Sequence, residues 1–309
     1  MATATSKFPS QLTHPSRAPL LYTFTPTYHH DTYPSIHPSN FTATLTNKSV
    51  LITGASKGIG RTTALRYALA GASHIAIAAR SPLDEVVSAI LDAARSAGHP
   101  PPQVLPLTLD VSSLSSVQAA AEAVSNAFDG KLDILIANAG YSDKWAVMAE
   151  ADPVNWWKTV DVSLNGMYLC SKYFMPLLVK GSLKTIIALS SIGALDTAPR
   201  GSAYQIAKFA VNRLVEFIDR EHGETDGIVA VSIHPGGVDT ELSRQLPGEY
   251  SKFLVDTPEL AGDAMVWLGS GGREWLAGRF IFVNWDVDEL EGRREEIVEG
   301  DLLKFRLAL

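Results

Sequence analysis

Residues 49–60 read S-V-L-I-T-G-A-S-K-G-I-G. A short β-rich run leads straight into three glycines, Gly54, Gly58 and Gly60, at the head of a helix-length stretch. In a strand–turn–helix setting such glycines permit a tight turn, a close backbone approach to a pyrophosphate, and helix-to-strand packing. The helix N-terminus that follows offers amide donors and the positive end of its dipole to phosphate. A plain βα turn would also use glycine, so the triplet alone decides little. Its place directly behind the first apolar strand points to a dinucleotide site.

The same texture continues outward. Strands are expected at 49–53, 74–79, 104–109, 133–138, 185–190, 228–233 and 279–283, with helices near 58–71, 83–97, 113–128, 153–180, 202–222 and 257–269. The strands are continuously apolar, as parallel strands covered on both faces are. Strand–helix alternation of this kind predicts a single α/β domain, a doubly wound parallel sheet of about seven strands with helices on both faces. The catalytic domain is expected over residues 48–285, after an irregular N-terminal arm (1–47) and before a helical C-terminal tail (286–309).

Composition bounds the function. The 309 residues are 46% hydrophobic and 19% charged, enough for a large core. A net charge of −7 offers no basic face to nucleic acid. The single cysteine, Cys170, excludes an intramolecular disulfide and fits a reducing compartment. No apolar run reaches the roughly 18 residues that span a bilayer, so a cytoplasmic protein is expected. Residues 1–30 carry Lys7 and Arg17 without acids, as organellar leaders do. Pro9, Pro15, Pro19 and Pro26 would break the amphipathic helix a leader needs. The stretch T-Y-H-H-D-T-Y-P-S-I-H-P is aromatic enough to pack on the domain, and no third ligand joins His29 and His30 in a metal site.

Y-Q-I-A-K at 204–208 sets Tyr204 and Lys208 one helical turn apart, on one face. On a solvent face the pair is decoration; lining a pocket it is an acid–base catalyst. Other motifs decide between these. The glycine spacing is G-x-x-x-G-x-G. L-D-V at 109–111, A-N-A-G at 137–140, S-S-I-G-A at 190–194 and H-P-G-G-V-D-T at 234–240 follow in order, and Ser191 lies thirteen residues before Tyr204. From 48 to about 285 the chain resembles the short-chain dehydrogenase/reductase family, and its arm and tail look similar to those of reductases in fungal secondary metabolism.

The resemblance implies Tyr204, Lys208 and Ser191 as catalytic residues, with Lys208 also holding the nicotinamide ribose. It implies cofactor contacts from Gly54, Ser56, Lys57, Gly58, Ile59 and Gly60, from Asp110 (the adenine amino group) and Val111, from Asn138, Ala139 and Gly140, and from Pro235, Gly236, Val238 and Thr240. A phenol titrates near 10, so a neighbouring ammonium and an oxidised nicotinamide would be needed to favour phenolate. Ser191 would steady charge developing on the substrate oxygen; as a bland alternative it caps a loop, which Ser190 could equally do. One position departs from the family. Where N-x-x-G would place an Asn behind the lysine, D-V-S-L-N-G has Ser163, while Asn165 would point about 200° away round a helix. An epimerase, dehydratase or cyclase using Tyr204 for proton transfer therefore stays open beside carbonyl reduction.

Dinucleotide folds that use NAD place an acid at the end of the second strand. Here that strand ends in Ala79 and Arg80, with Lys57 nearby, so NADP(H) is expected, with NAD(H) as the alternative. Tyr141, Trp145, Ile192, Gly193 and Leu242 would bound the substrate pocket. The loop 241–256, with Leu246, Tyr250 and Phe253, either suits an apolar or aromatic ketone or packs on its own domain. The resemblance implies a homodimer or homotetramer packed through the helices carrying Tyr204 and Trp156. The tail would cross a neighbouring subunit or the pocket.

Overall fold

A computed structural model describes residues 24–307. Lys7, Arg17 and the first three prolines of the leader-like stretch lie outside the described residues. Seven strands, β1 (Ser49–Thr53), β2 (His74–Ala79), β3 (Gln103–Thr108), β4 (Ile134–Ala137), β5 (Thr185–Leu189), β6 (Val229–His234) and β7 (Phe280–Phe282), form one parallel sheet. Their order is β3-β2-β1-β4-β5-β6-β7. The fold is the expected doubly wound α/β sheet.

The continuous apolar runs resolve into two faces, because side chains alternate along a strand. Val50 and Ile52 of β1, Ile75 and Ile77 of β2, and Ile134 and Ile136 of β4 enter one core. Leu51, Ala76, Ala78 and Leu135 enter the other. The first core is covered by α2 (Gly58–Leu69), α3 (Asp84–Ser96) and α8 (Pro258–Gly269). The second is covered by α4 (Leu114–Ala127), α6 (Gly166–Leu178) and α7 (Ser202–Asp226).

One expected helix divides. The stretch 153–180 is α5 (Pro153–Val160), a π turn at Asp161–Asn165, and then α6. A π turn inserts a residue into the helical ladder and often marks a functional site.

The described part of the arm, from Phe24 onward, is tightly held. Every residue of α8 from Leu260 to Gly269 is buried, so α8 needs cover on the side away from α2. The arm supplies it with Ile36 and Leu45, the latter on the short helix α1 (Thr42–Leu45). Thr32 donates to Asp263 of α8, whose carboxylate also takes the Arg66 guanidinium of α2. His29 stacks on Tyr33, with centroids 3.6 Å apart, and bonds Asp286 at 2.9 Å. The tail forms α9 (Val287–Gly292) and α10 (Arg294–Glu299). It then runs along its own domain: Leu303 O accepts from Phe280 N at the β7 edge, and Phe305 packs edge-on against Phe209 of α7. Among the described residues, none of the tail lines the cavity described below.

Candidate active site

The strand order reverses between β1 and β4, and the crevice outside their C-terminal ends is where such sheets bind ligands. Thr53 and Asn138 tie the two ends together. Thr53 Oγ1 accepts from the amides of Asn138 (3.1 Å) and Ala139 (3.0 Å), and Asn138 Nδ2 donates back to Thr53 O (2.7 Å) and Gly54 O (3.1 Å). Gly60 is obligatory there: a Cβ on it would lie 2.4 Å from Gly54 O and 2.5 Å from Asn138 Nδ2. Gly54 (φ +66°) and Gly58 (φ +54°) hold left-handed backbone, which brings Gly54 against Ala139 and Gly58 against Thr240. Ser56, Lys57 and Ile59 surround the α2 N-terminus, with Lys57 exposed and ion-paired to Glu241.

Asp110 accepts from Ser112 N (3.0 Å) and Ser112 Oγ (2.7 Å). The Ser112 hydroxyl, opposed by burial and helped by the Ser112 amide and the charges of Arg80 and Lys158, holds its carboxyl below the usual range. Arg80 is exposed at the end of β2. Val111 is buried and packs its side chain on Gly166, where a Cβ would come within 2.6 Å.

Ser191, Tyr204 and Lys208 come together beside this crevice. Ser191 follows β5 in extended backbone, and its Oγ accepts from Gly193 N at 3.0 Å; Gly193 lies between that hydroxyl and the Tyr204 ring, 3.4 Å and 3.8 Å from where its Cβ would stand. Ser191 thus caps the turn over Ile192–Leu195, as the bland alternative has it, and the buried Ser190 makes a second structural bond, donating to Lys208 O at 3.0 Å. Lys208 is 4% exposed; its Nζ donates to Leu189 O at 2.6 Å and stands 5.7 Å from the Tyr204 ring centre. Burial pushes the ammonium down to about 8. Burial also pushes the phenol of Tyr204 up, with the Ser191 hydroxyl pulling the other way. Desolvation dominates the phenol in the protein alone, and the lowering expected from Lys208 does not appear there. On the π turn the Ser163 hydroxyl meets the Tyr141 backbone, with O at 3.3 Å and N at 3.5 Å. Asn165 turns back to Asp161.

A cavity of about 210 Å³ joins the two halves. Trp145, Ile192, Gly193, Leu242, Leu246, Tyr250 and Phe253 line it, as do Ile59, Pro235, Gly236, Val238 and Thr240. Gly140 sits under Leu242 and Lys208. Tyr141 is absent from the wall; its ring lies 4.7 Å beneath the Lys158 ammonium. Several lining residues carried no local signal, namely Tyr28, His30, Ser142, Asp196, Gln205, His234 and Asp256. His234 could have been noticed as the residue opening H-P-G-G. Burial drives it down to about 3, and its Nδ1 accepts from Ile192 N (3.2 Å), so it is a neutral ring that fixes the turn beyond Ser191. Among the described residues no group of three or more His, Cys, Asp or Glu is placed to hold a metal, and no helix is long and apolar enough to cross a membrane.

Comparison with known proteins agrees with this geometry. The short chain dehydrogenase family model matches residues 48–250. The short chain dehydrogenase mpl6 of Monascus purpureus is 52% identical over 281 residues, covering 91% of this chain and 95% of that one. The short chain dehydrogenase pigC of Monascus ruber is 41% identical over 288 residues, covering 92% and 94%. A solved short chain dehydrogenase from Salmonella enterica serovar Typhi superposes with a TM-score of 0.69 at 26% identity, over 82% of this chain and 99% of that one. The chain is a member of the short chain dehydrogenase family of oxidoreductases, which use nicotinamide cofactors.

Proposed function

We propose that the protein is an NADPH-dependent reductase of a ketone on an apolar or aromatic small molecule, or the dehydrogenase of the matching secondary alcohol, with Tyr204 as acid and base. The observation that carries this is the convergence of Ser191 and Tyr204 on the wall of an apolar cavity shared with the Pro235–Thr240 turn, with the buried Lys208 one helical turn beyond Tyr204.

The crevice suits a nicotinamide dinucleotide. The glycine cradle of Gly54, Gly58 and Gly60 would take the pyrophosphate, the ionised Asp110 the adenine amino group, and Asn138–Gly140 with Pro235–Thr240 the nicotinamide half. When bound, the cofactor supplies or accepts the hydride. Ser191 Oγ and the Tyr204 phenol would both address the substrate oxygen. In reduction the carbonyl carbon gains hydride, and Tyr204 gives its proton to the oxygen. A phenol raised by burial is protonated at neutral pH, ready for that step. The Lys208 ammonium would then stabilise the phenolate until it is reprotonated.

Arg80, exposed at the end of β2 where an NAD enzyme carries an acid, supports a 2′-phosphate. Lys57 would join it. Its pair with Glu241 is exposed at 63% and 68%, screened by solvent and easily exchanged for a phosphate. Tyr204→Phe should remove turnover and leave NADPH binding nearly unchanged by fluorescence titration; undiminished turnover would sink the assignment. NADPH should bind at least about tenfold tighter than NADH.

Ser163 favours one second reading, proton transfer without net redox, since its hydroxyl serves the Tyr141 backbone rather than a relay behind Lys208. Product formed with no NADPH consumed would select it. We further place the protein in the cytoplasm and in secondary metabolism, the latter by analogy with its Monascus relatives. We propose a homodimer or homotetramer through α5 and α7, whose Val154, Trp157, Phe209 and Phe217 are exposed.

A further inference from the structure

His30 belongs to the arm, yet it lines the cavity. Its Nδ1 bonds Asp256 Oδ1 at 2.5 Å. Asp256 is buried, and its second oxygen accepts from Gly237 N at 2.5 Å, within the turn that follows His234. The backbone repeats the tie: Thr257 N donates to His30 O at 3.0 Å, and Thr257 Oγ1 donates to Asp31 at 2.7 Å. The imidazole is thus fixed in place by a carboxylate that is itself fixed. The Tyr28 ring lies 5.4 Å from the imidazole, and Leu246, Phe253 and Val255 line the same cavity.

A histidine held through Nδ1 has one ring nitrogen left for other work. With the Nδ1 proton donated to Asp256, Nε2 is an acceptor; with the ring doubly protonated, Nε2 is a donor. A hydroxyl satisfies both states, because it donates as readily as it accepts. A carboxylate would suit only the charged ring. Metal binding is not supported, because among the described residues no third ligand joins His30 and Asp256.

Building on the reductase reading above, we propose that His30 is a specificity residue contributed by the arm. Its Nε2 receives a hydroxyl on the aromatic body of the substrate, apart from the carbonyl that Ser191 and Tyr204 address. The substrate class is therefore a hydroxylated aromatic ketone.

The test uses two probes, 1-tetralone and 6-hydroxy-1-tetralone, with the full-length protein. Binding is read by isothermal titration calorimetry in the presence of NADP⁺, and turnover is read with NADPH. The wild type should bind the hydroxylated ketone about five- to tenfold more tightly, the contribution of one hydrogen bond. His30→Asn keeps a donor near Nδ1 for Asp256 but has nothing at Nε2. It should lose that preference while 1-tetralone and NADPH bind as before. His30→Gln, which reaches the Nε2 position, should restore part of the preference. A wild type without preference, an unchanged preference in His30→Asn, or binding of neither ketone overturns the proposal. Selective binding without any reduction would instead leave His30 in place and count against the reductase reading.

Discussion

Lys208→Met should make the nucleotide-free protein more stable at neutral pH while abolishing its activity. The side chain is 4% exposed, and burial drives its ammonium from an ordinary 10.5 to about 8. Between those values the unfolded chain holds a proton that the folded chain has released, so stability rises with pH across that window. Below about pH 8 the folded protein carries the whole desolvation cost, about 3 kcal/mol for a fall of this size. Methionine has similar length and no charge, so it removes that cost. It also removes the bond to Leu189 O, worth about 1–2 kcal/mol. The net effect is a gain of about 1–2 kcal/mol at pH 7. Urea unfolding without nucleotide, at pH 7 and pH 10, measures it. The variant should have the higher midpoint at pH 7 and lose most of that advantage at pH 10, near the top of the window, where most of the desolvation cost has gone and the missing hydrogen bond counts against it. A variant destabilised equally at both pH values would refute the claim that the buried ammonium is penalised.

Asp133 is buried, which pushes its pKa up, but the amides and hydroxyls of Ser182 and Ser49 (2.8–3.0 Å) outweigh burial and hold it below the usual range. Its stabilising effect is full above the ordinary carboxylate pKa and fades as pH falls through the lower folded value. Asp133→Asn should cost about 2–3 kcal/mol in urea at pH 7, with the gap closing in acid. Gly60→Ala places a methyl 2.4 Å from Gly54 O and should weaken NADPH binding more than about tenfold; an unchanged affinity would separate this turn from the cofactor. Trp157 is 64% exposed, so Trp157→Glu should leave the far-UV circular dichroism unchanged and shift size-exclusion elution to a monomer, and an unshifted peak would place the subunit contact elsewhere.

The sheet was legible because each strand is a short apolar run between turn residues, and the pattern needs only neighbours in sequence. The glycines were legible for the same reason: their backbone demands are local. The break in the 153–180 helix was not. D-V-S-L-N holds no glycine or proline, and the π turn lies just before Gly166, which packs on Val111 from another part of the chain. Tyr141 was expected on the pocket wall from its place after Gly140, but Lys158, on α5, takes its ring. Lys57 looked like a free cation beside a phosphate site, and its partner Glu241 is 184 residues away. Long-range pairs of this kind are decided by tertiary packing, to which periodicity is blind.

The arm shows how such a pairing places a site residue. A helix buried on all sides, as α8 is, cannot stand at the surface of a sheet without a second cover. Ile36 and Leu45 provide that cover. The chain leading up to them must then pass the loop that precedes α8, and there His29 takes Asp286 while His30 takes Asp256. Two adjacent histidines, unremarkable in sequence, are thereby separated in role: one anchors the arm to the tail, and the other joins the cavity wall. The packing demand of α8 fixes where the arm must run, and that course brings an imidazole to a pocket that the sheet and its loops leave largely apolar. An element required for burial is in this way positioned to govern selectivity, without altering the Ser191–Tyr204–Lys208 group on which the chemistry rests.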